Sequence, residues 1–199
     1  ISLACLNLPI EVRYHPENLY IVGLVPGPKE PTLTALNQYI RLVVDDMLVG
    51  WHDGFYLLRT SLHENGRLIR TAIANAVCDL PAARKTAALA ASTSRIFCSV
   101  CDCWHPIDPK DKTWRCTKLG RVDYEQWNRR DVDEMCAAAE RWRDASSPEE
   151  RKLIFKETGV RWSDLWRLPY WDPTQQLVVN GMHCLLEGIA SFHYINVLG

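Results

Sequence analysis

Val77-Cys78-Asp79-Leu80-Pro81-Ala82-Ala83-Arg84-Lys85 is the stretch on which the fold turns. An apolar run ends on a carboxylate, and Leu80-Pro81 stops it abruptly. Proline in a first helical turn gives up no hydrogen bond and has its φ already set, so a helix opens at Pro81 and runs to about Ala91. A strand handing over to a helix in this way puts Asp79 at the rim of a sheet. Two chemistries use an acid there. Asp79 can cap the helix by accepting a backbone N–H, the commoner use of Asp. It can also offer hard oxygen to Mg²⁺, which phosphoryl-transfer nucleases share between two ions about 4 Å apart.

Upstream, Ile1 to Leu8 and Leu19 to Val25 read as strands, stopped by Pro9 and by Pro26-Gly27-Pro28, with a short polar connection between them. Thr32 or Thr34 caps a helix to about Trp51, with Leu33, Leu36, Ile40, Val43, Val44, Met47 and Leu48 at helical spacing. Phe55 to Leu58 is a short strand and Leu68 to Val77 a longer one, separated by Asn65-Gly66 hairpin chemistry. Downstream, residues 92 to 123 are irregular. Helices are expected over Tyr124 to Ala145, over Pro148 to Thr158 with Ser147 as cap and Gly159 as stop, and over Met182 to Tyr194. Leu177 to Val179 is a short strand, and Trp162 to Trp166 a further turn. The tryptophans Trp127, Trp142, Trp162, Trp166 and Trp171 are expected to build a core rather than stack on bases. The fold class is α/β, with an α-rich insertion interrupting the sheet.

Composition sets limits. The 199 residues, 47% hydrophobic and 24% charged, are ordinary for a globular chain. A net charge of −1 argues against a polybasic nucleic-acid binder, though a local basic face survives that balance. No run approaches the roughly 20 apolar residues that span a bilayer, so no membrane partner is expected. The chain opens inside a strand-like run without Met and reads as an excerpt of a longer protein.

Eight cysteines divide into two groups. Cys5, Cys78, Cys136 and Cys184 stand singly, as small hydrophobes do. Cys98, Cys101, Cys103 and Cys116 cluster near His105, which points to metal binding in a reducing compartment. The Cys98-Ser99-Val100-Cys101 turn lets two thiolates reach one zinc ion, and His183 supplies an imidazole if the fold returns it. The same pair also reads as a redox motif. His183 and Glu187 are four apart on one helix and share a face. Asp45-Asp46 reads as a solvated acidic pair. Arg84 and Lys85 follow Asp79 closely enough to hold phosphates if Asp79 lines a DNA-cleaving site.

Several stretches, in order and across nearly the whole chain, carry a family resemblance. They are Leu24-Val25-Pro26-Gly27-Pro28-Lys29-Glu30-Pro31, the Val77 to Lys85 segment, Phe97-Cys98-Ser99-Val100-Cys101, Gly159-Val160-Arg161-Trp162, Leu168-Pro169-Tyr170-Trp171-Asp172-Pro173, and Val178-Val179-Asn180-Gly181-Met182-His183. In these the chain resembles the transposase of En/Spm-like (CACTA) DNA transposons, in the form abundant in basidiomycete fungi.

The resemblance implies a partial ribonuclease H-like sheet with an inserted α-rich, zinc-binding region. The core would occupy 1–95 and 177–199, and the insertion 96–176. It implies a nuclear DDE-type transposase in which Mg²⁺ or Mn²⁺ drives DNA strand cleavage and transfer on transposon ends, within a possible homo-oligomeric complex. Carried over, Asp79 is the second acidic residue and Glu187 the candidate last one, with Arg84 and Lys85 on DNA phosphates. Cys98, Cys101 and His183 hold a structural Zn²⁺, with Cys103, His105 and Cys116 as further possible ligands. The first acidic residue falls on a strand upstream of Ile1. The family's Asp-x-Met-His pattern is here Asn180-Gly181-Met182-His183, an amide in place of a carboxylate. That departure keeps open a second outcome, a non-catalytic or decayed transposase-derived domain that binds DNA or protein.

Overall fold

The structure, a computed structural model, describes residues 1–198. It is a mixed α/β arrangement whose strands form three two-stranded sheets rather than one. Strand β1 (Ser2–Ala4) pairs antiparallel with β2 (Leu19–Ile21), bridged by the single turn α1 (Ile10–Arg13) and a 3₁₀ turn. Strand β3 (Phe55–Leu57) pairs antiparallel with β4 (Arg67–Ile69). Gly66 sits at φ +81°, where a Cβ would run into the Leu57 and Leu58 carbonyls, so the Asn-Gly signal marks the hairpin as expected.

The strand expected over Leu68 to Val77 is two strands, β4 and β5 (Ala76–Cys78), with an irregular stretch between them. Side chains and a helix carbonyl satisfy the backbone there in place of a ladder. The Ile73 N–H donates to the Tyr170 hydroxyl at 3.0 Å, and the Ile73 carbonyl accepts from Gln176 Nε2 at 3.0 Å. The Thr71 N–H donates to the Gly50 carbonyl at 3.0 Å, a close approach that a Cβ at Gly50 would block by striking Thr71. Tertiary partners from the far end of the chain decide this local conformation.

Helix α2 (Leu33–His52) starts at Thr32, whose hydroxyl accepts the Ala35 N–H. Helix α3 (Leu80–Thr86) is shorter than the sequence suggests, and the helix expected from Tyr124 is a 3₁₀ turn followed by α4 (Val132–Asp144). Helix α5 (Pro148–Thr158) ends at Gly159, left-handed at φ +70° as a C-terminal glycine stop requires. One hydrophobic cluster joins Ile40 and Val44 of α2, Met135, Ala138 and Ala139 of α4, Ala87, Leu89 and Val160, and Leu165, Trp166, Leu168 and Trp171. It draws on both the 1–95 and the 96–176 segments. Asp45 of α2 pairs with Arg167, at the end of the 3₁₀ turn Asp164–Arg167, at 2.6 Å.

After α6 (Pro173–Gln176) the chain enters β6 (Leu177–Val179), which pairs parallel with β5. A terminal helix follows, π-helical over Met182–Ala190, α-helical at Ser191–His193 and π-helical over Tyr194–Leu198. It buries no residue. Among the described residues no helix is long and apolar enough to cross a membrane.

Candidate functional site at the strand ends

The β5–β6 register pairs Ala76 with Leu177, Val77 with Val178 and Cys78 with Val179. Asp79 and Asn180 are the next residues of their strands. The Asn180 N–H donates to the Cys78 carbonyl at 2.8 Å, which holds the two strand ends together. Each side chain then caps the helix that follows. Asp79 Oδ1 accepts the Ala82 N–H at 2.8 Å, and Asn180 Oδ1 accepts the Met182 N–H at 2.9 Å. Two strand–cap–helix corners therefore lie side by side at the carboxyl ends of parallel strands, where open α/β sheets bind ligands.

A cavity of about 590 Å³ opens at these corners. Asp79, His183 and Cys184 give it polar groups, and Leu80, Ile189 and Phe192 give it apolar wall. The structure thus brings Asp79 and His183, over a hundred positions apart in sequence, onto one surface. Glu187 is not on that lining. Its Oε2 lies 3.8 Å from His183 Nε2, and both side chains are largely exposed, a pair of little energetic weight. Behind the site, burial pushes the Cys78 thiol pKa up, a hydrogen bond with Thr86 opposes this, and the charge of Asp79 adds to it.

No protein-family model, curated protein or solved structure matches this chain.

The basic residues after Asp79 take different surroundings. Lys85 Nζ lies 2.7 Å from Glu30 Oε1. Arg84 is half-buried, and its Nε is sealed from solvent with no hydrogen-bond partner. Desolvation lowers its pKa from the ordinary guanidinium value, and the nearby Cys98 works the other way.

The cysteine segment forms a tight knot. Cys98 Sγ accepts the N–H groups of Val100 and Cys101, each at 3.4 Å, and lies 3.3 Å from Cys101 Sγ. Two thiols this close suit half of a zinc site, since Zn–S bonds of about 2.3 Å set tetrahedral sulfurs just under 4 Å apart. The other half is not assembled. His183 belongs to the Asp79 cavity, and among the described residues no three His, Cys, Asp or Glu side chains converge on a metal position. His105 is buried with Nδ1 2.8 Å from the Lys118 carbonyl and Nε2 3.0 Å from the Ser92 carbonyl, so both ring nitrogens face protein oxygen. Cys103 is buried near the Arg121 carbonyl, and Cys116 is exposed. Burial raises the Cys101 pKa to about 11, which favours the protonated thiol.

Arg130 and Arg161 are the residues here that local sequence reading passes over. Arg130 donates to the Cys98 carbonyl at 3.2 Å and the Thr158 carbonyl at 2.6 Å, tying the cysteine knot to the end of α5. Arg161 follows the Gly159 stop and reaches back to the Leu89 carbonyl at 3.4 Å. The glycine is a visible signal that the chain turns after α5, but its destination depends on contacts 72 residues away.

Proposed function

We propose that this chain is part of the catalytic domain of a DDE-type DNA transposase, with Asp79 as a carboxylate that holds a divalent metal ion. The observation that carries this is the meeting of Asp79 and His183 on one cavity at the carboxyl ends of the parallel β5–β6 pair. The cap uses Asp79 Oδ1. Oδ2 remains to meet a hard cation, so the two uses of Asp79 are compatible. A bound Mg²⁺ or Mn²⁺ supplies Lewis acidity to a phosphodiester and lowers the pKa of an attacking water. The chain's own residues do the rest. Asp79 fixes the position of charge at the strand end. His183, facing the same cavity, orients a water or a 3′-hydroxyl and accepts its proton. Arg84 and Lys85, on the helix that Asp79 caps, hold neighbouring phosphates.

Paramagnetic Mn²⁺ titration followed by NMR tests the metal role. Resonances of Asp79, Asn180 and His183 broaden first in the wild type, and that selectivity disappears in Asp79→Asn. Broadening that starts elsewhere, or is the same in both proteins, refutes it.

A second reading has its own observation. Asn180 stands beside Asp79 as a neutral amide engaged in a helix cap, and Glu187 is off the cavity lining. A non-catalytic or decayed derivative that binds DNA or protein, without cutting, fits those two facts. Mn²⁺ binding that is undetectable in the wild type and appears only in Asn180→Asp favours this second reading, whereas a wild type that already binds Mn²⁺ through Asp79 favours the first.

A further inference from the structure

A second cavity, of about 240 Å³, shares Leu80 and Pro81 with the first, so a single helical turn separates it from Asp79. Arg84, Lys85 and Arg161 all line it, with Ser92 at its edge. The Nε atoms of Arg84 and Arg161 are both sealed from solvent without a hydrogen-bond partner. Among the described residues no carboxylate lies within ion-pair distance of either guanidinium, and Glu30 engages only Lys85. Arg161 is instead held by the Leu89 carbonyl and by the Phe155 ring, with Cζ 4.4 Å from the ring centroid. Desolvation lowers the pKa of both arginines.

Half-buried guanidinium groups without counter-charges are unfavourable unless something supplies compensating negative charge at their open nitrogens. Two guanidinium groups without a counter-charge, beside a lysine that is paired with Glu30, ask for a compact anion with several oxygen acceptors. Guanidinium forks match phosphate in geometry, and their charge-assisted bonds are about twice as strong as neutral ones. We propose that Arg84, Lys85 and Arg161 form a phosphate-binding pocket, which takes the phosphodiester neighbouring the one presented to Asp79. The phosphate class stands on the pocket alone, and its assignment to a DNA backbone rests on the transposase reading. Arg161 joins the DNA contact set through this geometry, 76 positions after Lys85 in the chain.

The test uses the whole chain, with circular dichroism to verify folding of each variant. Inorganic phosphate is titrated calorimetrically at ionic strength held constant with chloride. Arg84→Gln and Arg161→Gln each weaken phosphate binding by about tenfold, the loss of one charge-assisted contact. Arg161→Lys, which keeps the charge and can still cover Phe155, loses less, and Arg59→Gln on an exposed loop loses nothing. Phosphate that fails to bind the wild type, or binds the folded variants equally well, overturns the pocket. A second arm measures affinity for duplex DNA against salt. Each lost phosphate contact makes the log–log slope shallower by about 0.9. Phosphate binding that depends on Arg84 and Arg161 with no DNA binding keeps the pocket and removes the DNA assignment. DNA binding untouched by either substitution removes the pocket from the DNA contact set and leaves the transposase reading standing.

Discussion

Asp79 and Asn180 leave adjacent parallel strands in register, one residue beyond the Cys78–Val179 pair, and each caps the helix that follows. Neither side chain can lose its acceptor oxygen without consequence for the backbone. Asp79 holds the first turn of α3, so structural effects of its substitution must be separated from the metal role proposed for it.

Asp79→Ala removes the acceptor for the Ala82 N–H and should lower stability by about 1 kcal/mol, while Asp79→Asn retains the cap and should stay within a few tenths. Urea denaturation of both variants measures this. Loss of stability in Asp79→Asn as large as in Asp79→Ala would mean that the charge, not the cap, holds the helix.

Asn180→Asp keeps an oxygen for the Met182 N–H and sets a second carboxylate beside Asp79. Mn²⁺ affinity should rise by about tenfold or more, the least expected from adding an anionic ligand where a supporting group alone is worth that much. Stability without metal should fall slightly, because two like charges then share the strand ends. Calorimetric Mn²⁺ titration is the measurement, and an unchanged affinity would place the two side chains too far apart to share an ion.

Arg130→Lys leaves an ammonium where a guanidinium spans the Cys98 and Thr158 carbonyls. A single ammonium does not reproduce that fork, and the half-buried site leaves a carbonyl unpaired. The cost should be about 2–4 kcal/mol in urea unfolding. A loss under 0.5 kcal/mol would show that water takes over the second carbonyl.

Acid stability should carry a mark of Asp172. Burial alone would raise its pKa, but hydrogen bonds from Gln175 and Thr174 and the charge of Arg129 outweigh burial and leave it below the ordinary value. A depressed folded-state pKa contributes stability that is fully present above the unfolded value, about 3.9 for Asp, and is lost as pH falls through the folded value. Stability of the wild type should therefore decline below about pH 4. Asp172→Asn should be less stable near neutrality and show a flatter acid limb, as measured by urea unfolding from pH 2 to 7.

Much of the local structure was legible because its signals are local. Thr32, Ser147 and Gly159 sit where caps and stops belong, and Gly66 turns the β3–β4 connection into its second strand. The break between β4 and β5 was hidden, since it depends on Tyr170 and Gln176 reaching Ile73 across about a hundred residues. The site was half visible for the same reason. Asp79 announces itself by the Asp-Leu-Pro stop, and His183 follows a short strand, but nothing local says that β6 pairs with β5. Helical spacing put Glu187 with His183, and that adjacency is real, but facing a cavity depends on how the helix sits on its neighbours. The cysteine knot gave its two close thiols to a spacing argument. The expectation that His183 would join those thiols depended on the fold returning it to them, and His183 lies at the strand ends instead.

Strand cleavage is the most direct test. Protein that includes the acidic strand which the resemblance places upstream of Ile1 is incubated with Mg²⁺ and duplex DNA bearing transposon ends, and nicked product is quantified for wild type and for Asp79→Asn. The account predicts nicking by the wild type that chelation abolishes, and none detectable in a variant whose folding is intact. Equal nicking by the two proteins would contradict it.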